Sequence, residues 1–199
     1  MTEKRDHDTV PRTGDGSEPD STTGFALFET PIGMCALAWG PHGLVGVQLP
    51  ADEGEPATRA RMKRRFPDLR EGPPNEAARH AIVAIQGLLQ GVHDDLRHIE
   101  LDMRGVSEFH QRIYAIARRI PPGQTRTYGE IAEELGDKGL SRAVGQAMGH
   151  NPFAPVVPCH RVLAAGNKPG GFSAGGGALT KLRMLDIEDA RPNGMASLF

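Results

Sequence analysis

Cys159 stands directly before His160 in the run PVVPCHRVLAAG, residues 155–166. A thiol in that place is a buried structural group, a metal ligand or a nucleophile. To attack it must become a thiolate, and an unperturbed thiol pKa of about 8.5 leaves only a few per cent ionised near neutrality. A neighbouring imidazole is the common remedy. Consecutive residues of an extended segment point apart, so His160 would act on the sulfur through a bridging water. An imidazole base is usually oriented by a third group, normally a carboxylate, and the downstream candidate is Glu188. Glu188 follows Lys181 by seven residues in ALTKLRMLDIEDA, so both lie on nearly one face of a helix. With Leu182 and Leu185 toward the core, the two charges are expected to be solvent-exposed.

The elements around this pair set its position. Prolines at 152, 155 and 158 remove donors and restrict the backbone, which makes the support of Cys159 rigid and non-helical. Downstream, GNKPGGFSAGGG is a glycine-rich loop that lacks the Gly-Lys-Ser/Thr of a P-loop. Its aromatic, Phe172, either stacks on a planar base or plugs the core. Upstream, YGEIAEELG and SRAVGQAMGH read as short helices joined by the polar DKGL, the pattern of a helix-turn-helix. Ala143, Gly145, Ala147 and Gly149 give the second helix little bulk, at a cost of roughly 1 kcal/mol for each interior glycine. Close packing on a neighbouring helix would compensate, as would insertion into a nucleic-acid groove, and Arg142 at its start favours the groove.

The 199 residues suffice for two small domains. Residues 1–23 are polar and acidic with little to bury, and are expected to be disordered. GFALFETPIGMCALAWGPHGLVGVQLP reads as three strands with turns at Thr30–Gly33 and Gly40–Gly43, and Cys35 fills core in the second. Ile82, Ile85, Leu88 and Leu89 mark a helical face, and HIELDM reads as a further strand. The expectation is an N-terminal α/β domain over 24–103, with a sheet of three or more strands plus helix. A mainly α C-terminal domain with the helix-turn-helix follows over 104–190, then a tail over 191–199. It opens with Ser107 as N-cap and Phe109, Ile113, Ile116 and Ile120 at helical spacing.

The formal charge of −2 hides an asymmetry. Arg112, Arg118, Arg119, Arg126, Arg142, Arg161, Lys168, Lys181 and Arg183 all fall in the second half, where an acidic partner would dock. Cys35 and Cys159 form no CxxC pair, which argues against a disulfide framework or zinc cluster and for a reducing cytoplasm. Neither a membrane span nor a signal peptide is visible.

SRAVGQAMGHNPFAPVVPCHRVLAAG closely resembles the active-site segment of the O6-alkylguanine-DNA alkyltransferases, also called methylated-DNA–protein-cysteine methyltransferases. The likeness extends through IPPGQTRTYGEIA and GGFSAGGGALTKLRMLDIE, covering roughly residues 105–190. It implies direct reversal of DNA damage: one-use transfer of the alkyl group from O6-alkylguanine to Cys159, without a cofactor. The partner implied is double-stranded DNA bound through the minor groove with the damaged nucleotide flipped out. By the same resemblance His160 is the water-bridged base and Glu188 orients it. Tyr128 touches the DNA backbone and helps protonate the leaving guanine. Arg142 fills the space of the flipped nucleotide beside the slim surface at Ala143 and Gly145, and Asn151 braces the turn before the reactive loop. Val157, Cys159, Val162, Phe172, Ser173 and Lys181 line or back the guanine pocket. Phe172 departs from the tyrosine of many relatives, and with Cys35 alone in the first half no zinc is expected. A soluble, cytoplasmic monomer is implied. Two rivals are a binding-only protein that recruits other repair factors and a Cys-His hydrolase, which would need an oxyanion site.

Overall fold

The computed structural model describes residues 22–190. The expected tail over 1–23 lies outside the described residues but for its last two, and the tail over 191–199 lies wholly outside them. Three strands, β1 (Gly24–Thr30), β2 (Gly33–Gly40) and β3 (Gly43–Gln48), form an antiparallel meander in sequence order. Gly43 has φ +116°, and a Cβ there would meet the Glu100 carbonyl oxygen at 2.6 Å, so the turn requires glycine.

The period of two divides the sheet into two faces. Phe25, Ala36 and Ala38 pack with Met62 of α1 (Glu55–Arg65), while Ala26, Phe28, Cys35, Leu37 and Trp39 point the other way. That second face is covered by α2 (Glu76–Leu88), whose Ala78, Ala81, Ile85 and Leu88 are buried and whose N-cap Asn75 accepts from the Ala78 amide. Ile82 is half-buried beside them. No periodicity announces α1, because EPATRARMKRR turns only Thr58 and Met62 inward. The strand expected over HIELDM is reduced to a parallel bridge of Leu101 with Leu44. Two backbone bonds flank it, and Asp102 then turns away to pair with Arg104.

In the second half, α3 (Glu108–Ala117) begins at the Ser107 cap as expected. α4 (Tyr128–Glu134) starts on a capping box between Thr127 and Glu130. A 3-10 turn, Lys138–Leu140, leads to α5 (Ser141–Gly149). On α5, Val144, Ala147 and Met148 face inward, and the Tyr114 hydroxyl of α3 donates to the Ala147 carbonyl at 3.0 Å. Arg142, Gln146 and Gly149 face outward, so its small residues do not share one face. Two-residue strands β4 (Arg126–Thr127) and β5 (Val162–Leu163) pair in parallel, and α6 (Ala178–Ile187) closes the described chain. Buried residues from both halves join in one hydrophobic cluster, and the Val47 amide of β3 donates to the Pro152 carbonyl at 2.8 Å.

Candidate active site

The loop between α5 and β5 is folded on the side chain of Asn151. Its Nδ2 donates to the Val157 carbonyl at 2.7 Å, and its Oδ1 accepts from the Phe153 amide at 2.9 Å. The Val157 carbonyl also takes the Cys159 amide at 2.8 Å, so both of its lone pairs serve the loop. Cys159 then opens a 3-10 turn, Cys159–Arg161, rather than an extended run. Burial pushes its thiol pKa up. The Asn151 side chain, the Lys181 cation and the amides of Cys159 and His160 oppose that, each favouring the thiolate.

His160, Arg161 and Glu188 form a buried network next to it, each 2% exposed or less. His160 Nε2 lies 2.9 Å from Glu188 Oε1, and Arg161 grips the same carboxylate through Nε at 2.9 Å and Nη2 at 2.8 Å. Arg161 Nη1 donates to the Ile120 carbonyl at 2.6 Å. Burial alone would raise the Glu188 carboxyl, but His160 and Arg161 outweigh it and hold the group at about 2. Burial lowers the His160 pKa against the pull of Glu188, so the ring rests neutral. With Nε2–H donated to a carboxylate, the acceptor nitrogen is Nδ1, which is buried without a hydrogen-bond partner. That is the geometry of an oriented base.

Lys181 and Glu188 are not the solvent-exposed charges the helix pattern suggests. α6 turns Lys181, Met184 and Leu185 inward, Glu188 follows at its C-terminal cap, and Leu182 is only half-buried. Lys181 Nζ donates to the Val162 carbonyl at 2.6 Å and sits 5.8 Å from the centre of the Tyr128 ring. Burial brings its pKa down to about 8. Tyr128 is half-buried at the start of α4, and burial raises its pKa. A Cβ on Gly170 would stand 3.1 Å from its hydroxyl.

Cys159 opens on a cavity of about 80 Å³ walled by Val47 of β3 and Leu49 just after it, Arg65 of α1, and Phe172, Ser173 and Ala174 of the glycine loop. At a water's share of about 30 Å³ this holds two or three small groups and no purine. Within the loop, Gly175 lies against the backbone after β3: a Cβ there would meet the Pro50 carbonyl at 2.4 Å, so that position requires glycine. Arg142 is exposed, on an open groove of about 430 Å³ shared with Tyr128, Lys138, Ser141 and Ala164. Ala143 and Gly145 are half-buried, Gly145 toward the Tyr128 ring. Asn151 is held inside the loop.

The expected basic face is largely consumed by the fold. Arg161 and Lys181 are internal, Arg118 caps the carbonyls of Leu96, Arg97 and Ile99, and Arg119 and Arg126 pair with Glu134. Sequence reasoning placed Arg161 on the surface and passed over Arg65; the available signal for Arg161 is that a buried carboxylate needs a bidentate partner. A larger cavity, about 580 Å³, lies between Trp39, Leu44, Ala81 and Ile99 and lacks Cys159. Among the described residues, no group of three or more His, Cys, Asp or Glu is placed to hold a metal ion. No described helix is long and apolar enough to cross a membrane.

Comparison with known proteins follows the same lines. A family model described as "6-O-methylguanine DNA methyltransferase, DNA binding domain" matches residues 108–190. A methylated-DNA–protein-cysteine methyltransferase of Mycobacterium leprae is 37% identical over 161 residues, 81% of this chain and 89% of the relative. One of Mycobacterium bovis is 48% identical over 101 residues, 51% of this chain, and that match spans only 59% of the relative's length. The solved Mycobacterium tuberculosis O6-methylguanine methyltransferase superposes with a TM-score of 0.68 at 32% identity, covering 86% of this chain and 96% of that one. The structure of M. tuberculosis OGT in complex with DNA gives a TM-score of 0.67 at 32% identity, with the same coverage.

Proposed function

The chain belongs to the methylated-DNA–protein-cysteine methyltransferase family, and on that premise we propose that it repairs DNA by direct reversal, taking the alkyl group of O6-alkylguanine onto Cys159. The observation that carries this reading is the His160 ring, neutral, held through Nε2 by Glu188, with an unpartnered Nδ1 buried beside the thiol's turn. Nδ1 accepts the Cys159 proton through a water. The sulfur attacks the alkyl carbon in line, the S–C bond forms as the C–O6 bond breaks, and the electron pair passes to the guanine ring. Tyr128 supplies the proton that neutralises the leaving base, and Lys181 beside its ring stabilises the phenolate left behind. A thioether is not readily cleaved, so each molecule acts once.

α4, its 3-10 turn and α5 act as a helix-turn-helix that enters the minor groove, with the slim Ala143–Gly145 surface close to the backbone and Arg142 in the place of the flipped nucleotide. The 80 Å³ cavity suits the alkyl end of the substrate. Entry of the base itself requires the Phe172–Ala174 wall to move. The two-domain division at 103/104 and a monomeric, cytoplasmic protein belong to this same reading. Incubation with a duplex labelled on its alkyl group tests it: label should move to Cys159 in a one-to-one burst. Label staying on DNA with excess protein, or moving equally with Cys159→Ala, overturns it.

The binding-only alternative would leave the label on DNA. It has no use for the oriented imidazole.

A further inference from the structure

Among the described residues three large apolar side chains are exposed: Val83 on α2, Val92 just beyond it and Leu179 on α6. The two valines belong to one patch. Val83 precedes Gly87 by four residues and so shares its helical face. A Cβ on Gly87 would lie 3.7 Å from that of Val92, whose amide donates to the Gly87 carbonyl at 2.9 Å. Neither backbone nor packing asks for glycine at 87, because its φ is not positive and the added Cβ would make an ordinary contact. The glycine therefore leaves a notch on the outer face of α2, with a valine on each side.

The end of α6 lies against this patch. The Ile187 carbonyl oxygen is 3.5 Å from where a Gly91 Cβ would stand, and Gly91 is the neighbour of Val92. Glu188 caps the helix, and Ala190 is buried with Leu163 and Leu185, its amide donated to the Leu185 carbonyl at 2.8 Å. The chain thus leaves Ala190 within a few residues of the notch. Residues 191–199, RPNGMASLF, hold one charged side chain, Arg191, and three large apolar ones, Met195, Leu198 and Phe199. Extended chain spans about 3.3 Å per residue, so this segment is longer than α2 and reaches either valine.

We propose that residues 191–199 fold back over the outer face of α2 and seat Leu198 and Phe199 in the notch between Val83 and Val92. Residues 1–21 are the poorer occupant: they carry six Asp and Glu side chains, and they join the structure at Thr22, on the cavity beside Trp39. The segment 191–199 is then a strap from the second half of the chain onto the first, and it holds the turn that presents Glu188. This inference stands apart from the alkyl-transfer reading, and its test reads no transfer.

The test uses the full chain with a photoreactive benzoylphenylalanine in place of Phe199, irradiated and then digested with trypsin. Residues 80–97 follow Arg79 and end at Arg97 with no other Lys or Arg between, so a single peptide carries both valines and the notch. The expected main adduct is an intramolecular cross-link to that peptide. Cross-links chiefly to other parts of the chain, cross-links between two molecules, or none at all overturn the proposal. In Gly87→Gln the notch is filled without loss of an apolar group, and the yield of that cross-link falls about fivefold or more; an unchanged yield overturns the proposal. Melting curves give an independent reading, because aspartate is tolerated at an uncovered surface position and not beneath an apolar segment. Val92→Asp lowers the melting midpoint by about 2–4 °C, Leu198→Ser/Phe199→Ser does the same, and the combined variant falls no further than the lower of the two. Additive shifts, or an unmoved midpoint in Val92→Asp, overturn it.

Discussion

Cys35 and Cys159 are both buried, and burial pushes both thiols above their ordinary range, yet their surroundings are opposite. Cys35 lies on β2 facing α2, paired across the sheet with Phe28, and its polar neighbour is the Thr30 hydroxyl at 3.7 Å. Its pKa is driven to about 12. Cys159 has the Asn151 amide, the Lys181 cation and two backbone amides arranged to receive negative charge, and a small cavity above it. Burial alone therefore makes a thiol inert. Burial with fixed dipoles and a cation leaves a thiol whose thiolate is stabilised once formed, and in the proposed function His160 is the group that removes the proton.

The comparison breaks most sharply at the sulfur. Cys159→Ser should lower alkyl transfer by about 10³-fold or more, read by mass spectrometry of the protein after mixing with methylated duplex, with its melting curve little changed. Next is Glu188→Gln, which unlocks the His160 tautomer and should cost about 10²-fold in transfer rate. Its effect on stability has a definite sign. The Glu188 carboxyl is depressed from 4.5 to about 2 in the folded chain, so its contribution is full above the unfolded value and is lost as pH falls from about 4.5 toward 2. Acid unfolding should accordingly be shallower in Glu188→Gln across that window. Removing the other partner, in Arg161→Met, leaves a carboxylate uncompensated in the interior and should destabilise by about 3–5 kcal/mol in denaturant titrations.

Much of this arrangement was legible in the residues alone. The three strands, α2 and α3 follow from alternation, helical spacing and caps, and Cys159, His160 and Glu188 from chemistry and resemblance. What was not legible has physical causes. α1 presents Met62 as its one strongly apolar inward residue, so no stripe marks it. Charged side chains default to the surface, and nothing in the spacing says that Arg161 and Glu188 satisfy each other inside or that Lys181 finds the Val162 carbonyl there. Arg65 reaches the Cys159 cavity from a distant part of the chain, through two backbone carbonyls that no side-chain pattern encodes. The HIELDM segment has strand composition, yet meets the edge of β3 at one residue pair, and composition does not count partners.

A smaller effect sharpens the electrostatic half of the comparison. Lys181→Met removes the cation that favours the Cys159 thiolate and should slow alkylation of the native thiol by iodoacetamide about tenfold near neutral pH. Stability should hold or rise, because the lysine itself is depressed to about 8 by burial and an apolar replacement ends that penalty. A large loss of stability instead would mean that its bond to the Val162 carbonyl outweighs the desolvation.

The smallest expected effect belongs to Cys35. Its side chain has no exposed surface and meets the α2 face of the sheet, so Cys35→Ala removes one heavy atom from a packed cluster and should cost about 1 kcal/mol. Alkyl transfer should stay within about twofold, since no group around Cys159 bonds to β2 through Cys35. Under native conditions a thiol reagent should modify Cys159 alone, and Cys35 only after unfolding, because a thiol at about 12 offers almost no thiolate. Rapid native labelling of Cys35 would show that the sheet opens locally on the labelling timescale. The contrast between the two cysteines would then be one of access rather than of charge.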